Sequence, residues 1–344
     1  MCALVREKNM SDVELPPAVM MLGLISGFQM SQALFAVAEL DVATALLSGP
    51  REVEDIATEV GADADALGRI IRFLAQHGVF RTSGSTVEIT DLGRTLADGP
   101  ADSLRSVTRY FHQTHYAPFG NLLDTVRTGE PAAKVFLGKP FFDWVNENPD
   151  MAALQNDAMA GFTQNARGDL LEVFDLPQGQ TVADIGGADG TLLAELLAGR
   201  PERRGVVFDL PSTVSAARPT LRAAGLEERV EVVAGDFFEK VPAADVYVLS
   251  AVLQDWNNAS SLRILRNVVK AAPAGARLVI VDMVVPEGDA PHPTKMLDII
   301  MLGMLGGRQR SESEWRRLLA DGGFTLQRVV TGSGSYSALE ATLG

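Results

Sequence analysis

Val182-Ala183-Asp184-Ile185-Gly186-Gly187-Ala188-Asp189-Gly190-Thr191 reads as a strand, a glycine-rich turn and the opening of a helix. With no side chains at 186, 187 and 190, a ligand could approach the backbone, and the helix N-terminus offers free N–H groups. The spacing is not that of a dinucleotide fingerprint, which would need glycines where Ala188 and Thr191 stand. Nor is it a P-loop, because no lysine follows the last glycine. Taken alone, the turn is equally well explained by tight strand-to-helix packing.

Outward from this stretch, short apolar runs alternate with helical patterns. Strands are expected over 181–185, 205–208, 229–233, 246–250 and 277–284, with helices near 191–197, 212–224, 261–271, 295–304 and 313–320. A hairpin over 325–330 and 336–342 ends the chain. Such alternation with near-continuous apolar strands predicts a doubly wound α/β sheet buried on both faces. Upstream, residues 103–176 are helical and rich in aromatics. Before them, helices over 31–47, 51–60 and 63–77 and a hairpin over 79–81 and 86–90 make a winged-helix arrangement. In the first of these, Leu34, Phe35, Val37, Ala38 and Leu40 recur at helical spacing.

Two further strand ends fit a nucleoside-like ligand. Asp209 closes the second strand nineteen residues after Gly190, where a carboxylate can accept from ribose hydroxyls. The alternative is a carboxylate favouring the dipole of the next helix. Gly235-Asp236-Phe237-Phe238 follows the third strand and offers a carboxylate for an amino group and an aromatic face for a purine. A surface turn with two core phenylalanines would look the same. Three matching sites at three successive strand ends favour an adenosyl ligand.

Composition limits the rest. The 344 residues, 47% of them hydrophobic, can fill two domains. A single cysteine, Cys2, excludes a disulfide framework and a cysteine metal cluster, and fits the reducing cytoplasm; no metal site is expected. The mixed-charge residues 1–14 do not resemble a secretory signal, and the apolar run 18–28 is too short to span a bilayer. A net charge of −14 opposes binding to nucleic acid or anionic membranes. The winged-helix stretch 50–100 carries five arginines and no lysine against nine acids, so a DNA-binding regulator is a remote alternative. Met20, Met21, Leu22, Leu24, Ile25 and Phe28 crowd one N-terminal helix with too few polar positions to face water, which points to a two-fold homodimer.

Together, Asp184-Ile185-Gly186-Gly187-Ala188-Asp189-Gly190, Phe208-Asp209-Leu210-Pro211, Gly235-Asp236-Phe237-Phe238, Val252-Leu253-Gln254-Asp255-Trp256 and Gly306-Gly307-Arg308-Gln309-Arg310-Ser311-Glu312 resemble the plant-type, caffeic acid-like family of S-adenosylmethionine-dependent O-methyltransferases in its bacterial branch. Ala38-Glu39-Leu40, Gly49-Pro50 and Leu92-Gly93 extend the likeness over residues 20–340. The resemblance implies a mainly helical winged-helix dimerisation domain over 15–102, a helical segment lining the substrate pocket over 103–178, and a Rossmann-like methyltransferase domain over 179–344. It implies S-adenosyl-L-methionine as cofactor, with Gly186 and Gly187 by the methionine portion, Asp209 by the ribose, Asp236 and Phe237 by the adenine, and Ser250 nearby. His112 and His115 fall on a helix that lines the pocket in relatives. Phe119, Met159, Phe162, Met296 and Met301 are the aromatic and methionine candidates for a flat, apolar acceptor, or simply core residues.

The departures from the family concern the chemistry. Its general base is a histidine where this chain has Gln254, and the two glutamates that orient it are replaced by Asp282 and Gln309. A glutamine accepts no proton at neutral pH. Methyl transfer to a small aromatic acceptor, most simply at oxygen, is then expected to proceed by positioning. The other reading keeps the cofactor without transferring its methyl, in hydroxylation, decarboxylation or pericyclic chemistry.

Overall fold

Asp41 breaks what residue spacing makes a single helix. The stretch 31–47 lies in two helices, Gly27–Glu39 and Val42–Ala45, because Asp41 between them adopts the left-handed conformation at φ 57°. Aspartate tolerates this region because its short side chain can bond locally. Here the Thr44 hydroxyl donates to its carboxylate, and the Arg105 guanidinium holds the same group at 2.8 Å. The computed structural model describes residues 16–100 and 102–344, with the backbone alone for 160–166. Residues 1–14, Cys2 among them, thus lie outside the described residues. The chain forms two compact units, Met1–Gln113 and Thr114–Gly344.

In the first unit, β1 (Arg51–Glu52), β2 (Phe80–Ser83) and β3 (Thr86–Ile89) form an antiparallel sheet in the order β1-β3-β2. The helix expected over 51–60 therefore yields its first two residues to β1 and runs Val53–Val60, where Gly61 stops it at φ 69°. The Asp63 carboxylate accepts from the Ala66 N–H at 2.8 Å and caps the helix Ala64–Ala75. Leu67, Ile71 and Leu74 of that helix pack with Val37, Val42, Leu46, Ile56, Phe80 and Val87 into one core. The helix Pro17–Ile25 buries none of its residues. Among the described residues no single helix is long and apolar enough to cross a membrane. Pro17–Ile25 and Gly27–Glu39 pass that test only jointly, with a 44° bend between them.

The second unit is built on seven strands: β4 (Thr181–Ile185), β5 (Arg204–Asp209), β6 (Val230–Ala234), β7 (Val246–Ser250), β8 (Arg277–Met283), β9 (Phe324–Thr331) and β10 (Tyr336–Leu343). Their order is β6-β5-β4-β7-β8-β10-β9, with β4 to β8 parallel and β10 antiparallel to both neighbours. Successive side chains of a strand point to opposite faces. Val182, Val207, Val248 and Val281 accordingly enter one core, and Ala183, Phe208, Leu249 and Ile280 the other. Both faces are buried, as the apolar runs require. The helix expected over 212–224 is in two pieces, Pro211–Val214 and Ala217–Ala223. The helix Glu312–Asp321 starts with a capping box between Ser311 and Glu314.

Strand order reverses between β4 and β7, and such a reversal opens a crevice at the carboxyl ends of the strands. The far side of the sheet is tied by charge. Glu340 on β10 is 4% exposed and accepts from Arg277 and Arg328 at 2.7 Å each. Glu340→Ala would leave two arginines that can rehydrate, so the expected loss is about 1–3 kcal/mol, read as a lower urea midpoint at unchanged slope. A loss below about 0.5 kcal/mol, the scale of surface pairs, would mean that the triad holds little.

Candidate functional site

The turn after β4 is shaped by a buried carboxylate. Asp184 is 1% exposed, and both its oxygens are buried without a hydrogen-bond partner. Burial, and then the Asp209 charge, pushes its carboxyl up to about 7. A Cβ on Gly187 would fall 2.9 Å from the Asp184 carboxylate, so only a glycine lets the turn pack this close to the group. The N–H groups of Gly186 and Gly187 donate to the Phe208 carbonyl at 2.8 and 3.2 Å and fasten the turn to β5. Asp209, at the end of β5, accepts from the Ala188 and Leu210 N–H groups at 2.9 and 2.6 Å. Burial raises its pKa, and those two N–H groups pull the other way. After β6, Asp236 accepts from the Phe238 N–H at 2.7 Å, while Phe237 stands edge-on to Phe238 and Trp256. Ser250 ends β7, before Ala251 at φ 54°.

These residues lie at the carboxyl ends of adjacent strands and could hold an aminoacyl nucleoside from end to end. Asp184 stands in the glycine motif without an expected ligand role. Its signal was a lone acid inside the otherwise apolar strand Val182-Ala183-Asp184-Ile185. An orphaned buried carboxylate beside a glycine cradle suits an ammonium group.

Past β7 the chain enters a short 3-10 turn, Leu253–Asp255, which carries Gln254 at 8% exposure. The Gln309 side-chain N–H donates to the Gln254 amide oxygen at 2.5 Å. Gln309 is itself placed by its backbone N–H, which donates to Asp298 at 2.7 Å. Asp282, fully buried on β8, accepts from the Met283 N–H at 2.7 Å and faces the Gln254 N–H. Burial pushes the Asp282 carboxyl up to about 7, against the Met283 N–H and the Arg310 guanidinium. Desolvation, and then the Asp282 charge, holds Asp255 well above the usual carboxylate range. Gln254 and Gln309 are thus in direct contact, with acidic groups held close to neutrality behind them.

The candidate lining residues separate. Met301 is buried on the helix Pro293–Met304, and a Cβ on Gly303 of the same helix would meet the Phe119 ring at 3.1 Å. Met159 is half-buried on Pro149–Arg167, and the Phe162 side chain lies outside the described residues. Met296 is 59% exposed. His115 is buried, pairs with the Thr114 hydroxyl and meets Phe141 edge-on; burial lowers its pKa to about 4, so the ring is neutral at pH 7. His112 belongs to the first unit, where its ring stacks on Phe35 and contacts Gln32 at 3.2 Å.

Residues 119–325 match the family profile of the O-methyltransferase domain, and residues 22–99 that of the O-methyltransferase dimerisation domain. The chain is 37% identical over 328 residues to a phenazine O-methyltransferase of Lysobacter antibioticus, covering 95% of this chain and 96% of that protein. It is 33% identical over 326 residues to aclacinomycin 10-hydroxylase of Streptomyces purpurascens, covering 90% of this chain and 86% of that one. A solved methyltransferase of calicheamicin biosynthesis, in its SAH-bound form, matches with a TM-score of 0.81 and 31% identity over 96% of this chain and 100% of the other.

The raised Asp282 pKa makes stability depend on pH. The folded state holds this proton up to about pH 7, whereas the unfolded chain releases it near 3.8. The stabilisation is therefore complete below pH 3.8 and is lost as pH rises through 7. Asp282→Asn, which carries no charge to bury, should unfold at the parent's midpoint at pH 4. At pH 8 it should be more stable by on the order of 1–3 kcal/mol. Equal midpoints at both pH values would place the carboxylate in a more polar setting.

Proposed function

The chain belongs to the O-methyltransferase family, and we propose that it methylates an oxygen of a small aromatic natural product by holding the acceptor in place, without a histidine base. Its cofactor, S-adenosylmethionine, supplies a methyl group on a cationic sulfur. The orphaned Asp184 carboxylate and the Gly186-Gly187 turn suit the aminoacyl end, the Asp209 carboxylate the ribose, and Asp236, Phe237 and Ser250 the base and its surroundings. Phe119, Met159 and Met301 are assigned to the acceptor. Within this reading 15–102 serves dimerisation and 179–344 the cofactor.

The observation that carries the proposal is the buried hydrogen bond from Gln309 to Gln254. An amide whose oxygen is engaged has a fixed plane and can orient an acceptor, but it takes up no proton at neutral pH. Holding nucleophile and donor in line is worth roughly 7–11 kcal/mol, against the ~10²–10⁴-fold of a general base. Positioning therefore suffices for an acceptor whose oxygen ionises by itself. A second reading, in which the cofactor is bound but its methyl stays in place, has support in the likeness to a hydroxylase.

Formation of S-adenosylhomocysteine in step with product separates the two readings, since the second yields product without it. Under the first, Gln254→Ala should slow turnover by about 10-fold, the scale of one orienting hydrogen bond. A loss of ~10²–10⁴-fold with a titration limb near pH 6.5 would instead reveal a base.

The exposed helix Pro17–Ile25 bears on assembly. Met20, Met21, Leu22, Leu24, Ile25 and Phe28 are each more than half exposed, next to a stretch matching a dimerisation domain. We assign them to a two-fold interface of a cytoplasmic homodimer with a small-molecule substrate and no nucleic-acid or membrane partner. Light scattering at tens of micromolar should give twice the chain mass, and a monomer would refute the assignment.

A further inference from the structure

The turn Leu253–Asp255 has weak internal support. Its own backbone contributes Asp255 N–H to Val252 at 3.2 Å and Trp256 N–H to Leu253 at 3.4 Å, both long. The turn is gripped instead by the segment 307–310. The Arg308 N–H donates to the Gln254 carbonyl at 2.8 Å, and Gly307 sits so close that a Cβ there would fall 2.1 Å from the same oxygen. Arg310 takes the two flanking carbonyls, Leu253 through Nη1 at 2.8 Å and Trp256 through Nη2 at 2.9 Å. Its remaining donors reach Asn258 Oδ1, Ser261 Oγ and the Arg308 carbonyl. The guanidinium lies over the Trp315 ring, 5.0 Å from its centre.

Arg310 is 1% exposed and makes no close ion pair among the described residues, the Asp282 charge acting on it from farther off. Desolvation of this size is unfavourable, and an apolar side chain of similar volume would usually pack as well or better. What an apolar side chain cannot supply is a planar fork that ties two carbonyls on either side of Gln254 at once. Lysine cannot supply it either, since its ammonium is a point charge on a flexible stem.

Building on the role given above to Gln254, we propose that Arg310 is the positioning residue of this site, fixing the turn so that the Gln254 amide meets the acceptor. A shift of about 1 Å in a group that orients reactants can lower the rate by ~10²-fold. Because Arg310 acts only through the Gln254 amide, whose removal costs about 10-fold, Arg310→Lys should lower kcat by about 5–10-fold, with KM and S-adenosylmethionine affinity unchanged. In a Gln254→Ala background the same substitution should change kcat by less than about 3-fold, because the group it positions is gone. Asn258→Ala, at an exposed position that removes only one partner of the fork, should give a smaller loss with the same coupling.

A hydroxyphenazine serves as probe acceptor, followed both as acceptor consumed and as S-adenosylhomocysteine formed. Acceptor loss without S-adenosylhomocysteine overturns the methyl-transfer reading, while the coupling is still read from acceptor loss. Nuclear magnetic resonance of the protein saturated with S-adenosylhomocysteine needs no acceptor. The side-chain amide signals of Gln254 and Gln309 should be dispersed in the parent and averaged in Arg310→Lys, with core methyl signals unmoved. Equal losses with and without Gln254, a loss confined to KM or cofactor affinity, or amide signals unchanged by Arg310→Lys would overturn the proposal.

Discussion

A parallel sheet buried on both faces leaves only its strand ends for chemistry, and here that constraint governs the whole second unit. β4, β7 and β8 have no polar side open to solvent, so each polar group they carry is at an end or is buried at a price in free energy. The reversal of order between β4 and β7 parts the connections at one edge only. The glycine turn, Asp209, Asp236 and the Gln254 turn all follow from that one edge. Nothing comparable is available on the opposite edge, where Glu340 and its two arginines merely hold β8, β9 and β10 together.

The same burial sets the electrostatics. Asp184, Asp255 and Asp282 are all pushed upward by desolvation, and like charges add to the effect at Asp184 and Asp255. Carboxylates in a sheet that offered them water would be ordinary surface acids. Here two of them hover near neutrality at the ends of β4 and β8, which makes them sensitive to any cation brought close. Arg310 is the one buried cation in this neighbourhood among the described residues. Its pKa is lowered to about 10 by desolvation, far above any working pH, so its charge is permanent.

Much of this was legible in the residues. The apolar runs at Thr181–Ile185 and Val246–Ser250 and the helix Thr191–Leu197 sit where the spacing puts them, because Gly186 ends the first, Asp245 precedes the second and Gly190 precedes the helix. Gln254 and Gln309 could be paired only through resemblance, and their hydrogen bond is a fact of folding. The failures share a cause. Alanines and leucines fit a continuous helix and a broken one equally, so neither the left-handed Asp41 nor the interruption near Ser215 leaves a mark in periodicity. The exposure of Met296, a candidate lining residue, is likewise set by tertiary packing. The motifs give Asp184 and Arg310 no role, since what distinguishes them is burial and the partners they lack or engage, and both are tertiary properties.

The grip on the Gln254 turn is made almost wholly of main-chain oxygens. Leu253, Gln254 and Trp256 offer their carbonyls to residues 308–310, while the side chain at 254 bonds separately, to Gln309 and Tyr336. The mount therefore rests on the backbone rather than on the side chain it carries. A single codon change at 254 can alter the chemistry offered to the acceptor without disturbing the loop that presents it. That freedom is a route by which closely similar chains diverge in reaction while keeping one scaffold and one cofactor.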